Sequence, residues 1–225
     1  MKRLAIDGPL IVGVGGLTSN VGKTTLLCDL LEMFPGWEAI KTTRGHYRSC
    51  GKDPHACCVS HLLQDKPLVK SGRLETYQPG KDTGRYWESG ASNVHWVIAT
   101  DDQLEEGIKE ALTRVTSPGV FIEGNSFSSY VETDFFVMVT RAGLPQIKRT
   151  ARNAIDKVSA FYVSDRSAEA RESFEQLAAK LKLKMSGNVP PIFSSNEVAQ
   201  LAECVRRLKA NFLPEKQTQT ASVAS

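Results

Sequence analysis

The residues best suited to chemistry in this sequence form a glycine-rich segment that ends in Gly-Lys-Thr-Thr. It reads Gly16-Leu17-Thr18-Ser19-Asn20-Val21-Gly22-Lys23-Thr24-Thr25. An apolar run at 10–14 precedes it, and a helical pattern at 22–33 follows it. Glycines let a backbone wrap around phosphate oxygens, and a helix N-terminus directs unpaired N–H groups at them. The segment is therefore predicted to be a phosphate loop that binds a nucleoside triphosphate.

Each polar residue of this loop has an expected role. Lys23 would reach the β- and γ-phosphates, and the Thr24 hydroxyl would hold a magnesium ion. The other loop residues expected to bind the nucleotide are Gly16, Thr18, Ser19, Asn20, Val21, Gly22 and Thr25. The alternative is a plain strand–helix turn, and the apolar segments on both sides favour the phosphate loop.

A second acidic site is expected at Glu123. The apolar residues 120–122 run directly into this carboxylate, and Gly124 follows it. In a doubly wound sheet, that end of a strand faces the ligand crevice. Glu123 is therefore expected to bind magnesium together with Thr24, either directly or through water. The alternative is a surface carboxylate that closes an edge strand.

Two further positions are expected to face the ligand. Lys41 ends a predicted strand, which would make it a second phosphate contact and a member of a catalytic set with Lys23 and Glu123. Lys81 and Asp82 follow a Pro-Gly turn, where a lysine can meet a phosphate and an aspartate can meet a metal or a hydroxyl. The alternative is a solvated lysine at position 41 and a capped surface turn at Lys81 and Asp82.

Cysteines and histidines are concentrated in residues 46–61, where six of them occur. Thiolates and imidazoles can form a tetrahedral zinc site or receive another soft metal. A helix starting at Pro54 would place Cys57 and His61 one turn apart on one face, with Cys50 as a third ligand. No Cys-x2-Cys pair is present. The alternative is therefore small buried cysteines and solvated histidines.

Short apolar runs alternate with helical patterns along the chain, which predicts an α/β fold with three layers and a mostly parallel sheet. Strands are predicted at 10–14, 37–41, 94–99, 120–123, 135–140, 160–164 and 191–193. Helices are predicted at 22–33, 101–115, 145–155, 167–183 and 196–212.

The same patterns predict one domain over residues 1–213 and a polar, disordered tail over 214–225. Residues 42–93 carry no strong strand signal, and we interpret them as an insertion on the substrate side of the domain. From 41 to 90 the chain has nine Lys and Arg against five Asp and Glu, which suits an anionic ligand.

Composition narrows the partners. The net charge of +3 is too small to indicate nucleic acid, so none is expected as a partner. No apolar run is long enough to span a membrane. The start of the chain lacks a signal-peptide pattern, and its five cysteines are an odd number. We therefore expect a cytoplasmic protein with reduced thiols.

The segment Gly80-Lys81-Asp82-Thr83-Gly84-Arg85-Tyr86-Trp87-Glu88-Ser89-Gly90-Ala91 resembles a Gly-Lys-Asp-Ser…Ala-Gly-Ala stretch of the molybdopterin-guanine dinucleotide biosynthesis protein B (MobB) family. Ile40-Lys41 and Ile122-Glu123-Gly124 are similar to further motifs of that family. The resemblance implies a GTP-binding protein with slow hydrolysis that acts in molybdenum cofactor assembly. Its implied partners are a pterin cofactor and other proteins of that pathway, and we expect a homodimer.

The phosphate loop departs from that family, in which four residues separate the two glycines. Here five residues separate Gly16 from Gly22. It resembles the loop of dethiobiotin synthetase, and the segment from 135 to 144 resembles a strand and turn of the same enzyme. This second resemblance implies an ATP-dependent ligase or kinase that acts on a small metabolite. A third alternative is a metallochaperone GTPase that uses the cysteine and histidine cluster.

Overall fold

A computed structural model describes residues 8–45, 62–63, 65–143, 146–180 and 190–212. Within these residues the core is one sheet of eight strands. The strands are β1 (Leu10–Gly16), β2 (Glu38–Arg44), β3 (Leu68–Ser71), β4 (Val94–Ala99), β5 (Gly119–Glu123), β6 (Phe135–Thr140), β7 (Ala160–Val163) and β8 (Ile192–Ser194). The helices are α1 (Lys23–Met33), α2 (Arg73–Thr76), α3 (Asp82–Glu88), α4 (Leu104–Thr113), α5 (Arg149–Ala154), α6 (Ala168–Lys180) and α7 (Val198–Phe212).

The strand order is β3-β4-β2-β5-β1-β6-β7-β8. Every neighbouring pair is parallel except β3 and β4, which are antiparallel. β1 and β5 are buried along their whole length, which explains why both appear in the sequence as uninterrupted apolar runs.

Helices cover both faces of this sheet. One face packs against α1, α3 and α7, through buried residues that include Leu26, Tyr86 and Leu201. The other face packs against α4, α5 and α6, where Ile108 and Phe174 are buried. The predicted three-layer α/β arrangement with a mostly parallel sheet is confirmed.

A strand lies at every predicted position, and two of the strands extend two or more residues beyond their predicted ends. β1 continues to Gly16 and β2 to Arg44, so the sheet reaches further toward the phosphate loop. Helix α4 begins at Leu104 rather than at 101. Ahead of it the Gln103 side chain accepts the Thr100 N–H, as in one half of a capping box.

The described part of the segment predicted as an insertion contains β3, α2 and α3, which we did not predict. β3 is only four residues long and largely half-buried, so it carries little periodic signal. The predicted tail at 214–225 and the cysteine and histidine cluster at 46–61 lie outside the described residues.

Parallel pairing brings the candidate residues together at one edge of the sheet. Lys41 of β2 is paired with Glu123 of β5, and Glu123 is paired with Val14 of β1. The phosphate loop leaves β1 just beyond this point, so the loop, the lysine and the carboxylate share one crevice.

Candidate functional site

The loop between β1 and α1 has the backbone shape of a phosphate-binding turn. Gly22 has φ 90 and Asn20 has φ 56, both in the left-handed region. Glycine adopts this region without a steric penalty, and asparagine is among the few other residues that tolerate it. The loop borders a pocket of about 400 Å³, lined by residues 19–25 together with Lys41, Asp82, Arg85 and Glu123.

Leu17 anchors the loop at the position where the extra residue was noted. Its side chain is 1% exposed and packs in the core. The Leu17 N–H donates to the Val139 carbonyl at 3.0 Å, and the Lys148 N–H donates to the Leu17 carbonyl at 2.9 Å. The core contact and the two backbone hydrogen bonds of Leu17 therefore fix the base of this longer loop to β6 and to the start of α5.

Asn125 holds the other side of the loop base. Its Oδ1 accepts the Gly16 N–H at 2.8 Å, and its Nδ2 donates to the Gly16 carbonyl at 2.9 Å. Gly16 and Thr18 do not line the pocket, whereas the predicted residues 19–25 do. In the geometry of this site, Gly16 positions the loop because its backbone groups are already bonded to Asn125.

Glu123 is the most heavily bonded side chain of the site, and it is 3% exposed. Thr24 Oγ1 donates to its Oε2 at 2.8 Å, and the Tyr86 hydroxyl donates to the same oxygen. Lys41 Nζ donates to its Oε1 at 2.6 Å. The Thr42 hydroxyl donates to its backbone carbonyl at 2.8 Å. Both oxygens of the buried carboxylate thus accept hydrogen bonds, which hold the side chain in one orientation.

Lys41 also contacts a second carboxylate, because its Nζ lies 2.5 Å from Asp82 Oδ2. Burial alone would lower the pKa of Lys41, but Glu123 and Asp82 outweigh it and hold that pKa above its ordinary value. Burial acts to raise the pKa of Asp82, and the charge of Lys41 overcomes it, so the pKa of Asp82 is lowered. Asp82 is therefore an ionised carboxylate at neutral pH.

The pKa of Lys23 is shifted in the opposite direction from that of Lys41. Burial lowers the pKa of Lys23; the attraction of Glu123 opposes this effect, while the positive charges of Lys41 and Lys148 add to it. Arg85 brings a further positive charge to the pocket and donates to Thr25 Oγ1 at 3.3 Å. Cations crowded around one small pocket favour a polyanion as its ligand.

Thr24, Asp82 and Glu123 present hard oxygen donors within this pocket. Thr24 Oγ1 donates to Glu123 Oε2 at 2.8 Å, and Asp82 lines the same pocket. A hydroxyl and carboxylates are the ligands that magnesium prefers, so these residues fit a magnesium ion. Among the described residues there is no group of three or more His, Cys, Asp or Glu side chains that could hold a metal. The predicted soft-metal ligands Cys50, Cys57 and His61 lie outside the described residues.

Several site residues were not among the sequence predictions. Arg85 and Tyr86 fall in the segment that resembles the MobB family, and Asn125 follows Glu123 by two residues. Their closeness in sequence to predicted site residues could therefore have identified all three. Lys148 donates to the Ser19 hydroxyl from a part of the chain that is 129 residues distant. No local pattern indicates a contact of that kind.

A second pocket of about 650 Å³ lies beside the first, and Lys41 and Asp82 line both. Lys81, predicted as a nucleotide contact, lines this second pocket and not the first. None of the described helices is long and apolar enough to cross a membrane.

No protein-family model matches the chain, and no curated protein matches it. Among solved structures, the chain is similar to HypB from Helicobacter pylori in complex with nickel, with a TM-score of 0.49, 13% identity and coverage of 92% of this chain and 91% of that one. It is similar to LpxK from Aquifex aeolicus in complex with ATP, with a TM-score of 0.45, 17% identity and coverage of 84% and 54%. A putative plasmid partition protein from Borrelia burgdorferi bound to AMPPNP gives a TM-score of 0.40, 11% identity and coverage of 91% and 100%.

Proposed function

We propose that this protein binds a magnesium–nucleoside triphosphate in the pocket of about 400 Å³ beside residues 19–25, called here the phosphate pocket. We also propose that it acts slowly on the γ-phosphate of that nucleotide. The observation that carries the proposal is the convergence on one pocket of three kinds of group. These are the phosphate loop with Lys23, the bonded pair Thr24 and Glu123, and the cation Arg85. That combination matches what triphosphate binding requires: backbone N–H groups, a lysine, metal-binding oxygens and a further positive charge.

The residues divide the work of binding. Lys23, whose pKa is lowered by burial, regains a charge partner when phosphate oxygens enter the pocket. Glu123 is held by Lys41 and Tyr86, so it presents its carboxylate without reorganisation. Thr24 and Glu123 would hold the magnesium ion. When bound, that ion would neutralise charge on the β- and γ-phosphates.

The proposal is tested by thermal shift and calorimetry with ATP, with GTP and with a non-hydrolysable analogue, each with and without magnesium. We expect a magnesium-dependent increase in melting temperature for at least one nucleotide. Lys23→Ala removes a charged phosphate contact and should abolish that increase. Lys109→Ala, an exposed lysine on α4, is the matched control and should retain it. A full nucleotide shift in Lys23→Ala would refute the site.

For the use of the nucleotide, the first candidate is GTP-dependent molybdenum cofactor assembly. The segment 80–91 supports it, because the part of the chain that resembles the MobB family supplies Lys81, Asp82 and Arg85 to the two pockets. In this candidate the chain is a cytoplasmic homodimer that handles a pterin cofactor with other assembly proteins. A preference for GTP in the binding experiment is the expected result, and a clear preference for ATP would contradict it.

The second candidate is an ATP-dependent ligase or kinase that acts on a small metabolite. It is supported by the second pocket, which adjoins the phosphate pocket through Lys41 and Asp82. A kinase or ligase needs room for an acceptor beside the γ-phosphate. Phosphate or nucleoside diphosphate release that rises when a small acceptor is added separates this candidate from the first, in which protein partners should stimulate turnover.

A further inference from the structure

One row of side chains crosses four neighbouring strands and joins the two pockets. Glu123 of β5 is paired with Lys41 of β2, and Lys41 is paired with Trp96 of β4. Trp96 is in turn paired with Lys70 of β3. Directly paired residues project from the same face of a sheet. The four side chains therefore form a line on one face, with the phosphate pocket at one end and the second pocket over the other.

The charges that line the second pocket do not cancel. Glu75 and Asp82 are its acidic residues, but one oxygen of Glu75 accepts the Ser71 N–H at 3.0 Å and Asp82 pairs with Lys41. Lys70 and Lys81 also line it, and neither has an ion-pair partner within the part of the chain that the structure describes. Among the described lining residues, three lysines therefore face two carboxylates, which leaves one net positive charge.

Aromatic side chains complete the lining. Trp96 is half-buried, and its ring N–H donates to Thr43 Oγ1 at 2.8 Å, which fixes the orientation of the indole. Tyr77, on the turn after α2, lines the same pocket. An indole ring in a fixed orientation beside lysine ammonium groups suits a ligand with a flat apolar part and an anionic group.

We propose that the second pocket binds an elongated organic anion, with its ring against Trp96 and its phosphate or carboxylate group at Lys70. The opposite end of this ligand then lies at Lys41 and Asp82, beside the phosphate pocket. Neighbouring strands are about 4.8 Å apart, so Lys41 and Lys70, two strands apart, set a ligand length of about 10 Å. The ligand is a co-substrate only if the phosphate pocket takes a nucleotide, so this role rests on the proposed function.

The test is calorimetric titration of the full chain with phenyl phosphate and with phenylacetate, without nucleotide. These probes separate a phosphate ligand from a carboxylate ligand. We expect at least one to bind, and Lys70→Ala to weaken it about tenfold through loss of one charge-assisted hydrogen bond. Trp96→Leu should also weaken it, whereas Lys109→Ala should not. Lys23→Ala should leave probe binding unchanged, because Lys23 does not line this pocket.

Three results would overturn the assignment: no binding of either probe, unchanged affinity in both Lys70→Ala and Trp96→Leu, or loss of binding in Lys23→Ala, which would mean that the probe occupies the phosphate loop. Thermal unfolding followed by circular dichroism, measured on every variant, confirms that the variants are folded. If the probe binds as expected while no nucleotide binds, the proposed function fails and the anion site stands. If a nucleotide binds and the probes do not, the anion site fails alone.

Discussion

Lys41 of β2 donates to Glu123 of the adjacent strand β5 at 2.6 Å, across a directly paired position of the sheet. The same ammonium group lies 2.5 Å from Asp82 at the start of α3. One largely buried lysine thus joins two carboxylates that belong to different parts of the chain. It also forms the boundary between the two pockets.

Removing this lysine should destabilise the fold. Lys41→Met leaves Glu123, which is 3% exposed, without its positive partner. The loss of one member of a buried ion pair costs about 3 kcal/mol of the free energy of unfolding. Urea denaturation measures this loss. The double variant Lys41→Met/Glu123→Gln should recover part of it, because the buried carboxylate is then gone and the other partner, Asp82, is 43% exposed. Strict additivity of the two single changes would contradict the pairing.

Leu17→Ala tests whether the longer phosphate loop is anchored by its extra residue. The Leu17 side chain is 1% exposed, so truncation should lower the free energy of unfolding by about 3 kcal/mol. Nucleotide affinity should fall as well, because the loop base loosens. Leu74→Ala is the matched control, since Leu74 is fully exposed at 103% and its truncation should change neither quantity. Equal stability of the two variants would rule out the anchor.

Gly84→Ala should disturb α3 even though alanine is the better helix former by about 1 kcal/mol. A Cβ at this position would lie 2.0 Å from the Gln78 carbonyl oxygen, so the helix must shift. That shift would move Asp82 and Tyr86 away from the site. We expect weaker nucleotide binding and a lower melting temperature. Glu88 is exposed on the same helix, so Glu88→Ala should keep the nucleotide affinity and the melting temperature close to those of the unchanged protein. A stabilised Gly84→Ala would show that the contact is absent.

A buried pair at the other end of β2 should make stability depend on pH. His95 Nε2 lies 2.6 Å from Glu38 Oε2, and the Thr116 N–H donates to Glu38 Oε1 at 2.9 Å. Burial acts to raise the pKa of Glu38, but the hydrogen bonds from His95 and Thr116 outweigh it, and the pKa is lowered.

The folded-state pKa of Glu38 therefore lies below the unfolded value of about 4.3, so its contribution is complete above that pH. It is lost as the pH falls through the folded-state pKa. Melting temperatures measured from about pH 6 down to about pH 3 should decline, and Glu38→Gln should make that decline shallower. If the melting temperature of Glu38→Gln declined with pH in the same way as that of the unchanged protein, Glu38 would be excluded as a cause of the decline.

The phosphate loop, Glu123 and the alternation of strands and helices were predictable because each is a local pattern. A buried parallel strand needs a continuous apolar run, and a phosphate loop needs its glycines and lysine at fixed spacing. β3 was missed since a four-residue edge strand has almost no periodicity. Helix α3 was missed because its residues, including Asp82, were interpreted as a ligand-facing loop.

The sequence by itself determined the layered α/β architecture and predicted a triphosphate-binding loop at residues 16–25, since neighbours along the chain carry both patterns. Only the tertiary structure decided what surrounds that loop. Parallel register set Lys41 beside Glu123, and packing of α3 on α1 brought Asp82 to that lysine and Tyr86 to that carboxylate. These contacts join residues tens of positions apart, and their pairing depends on strand order, which no local pattern encodes.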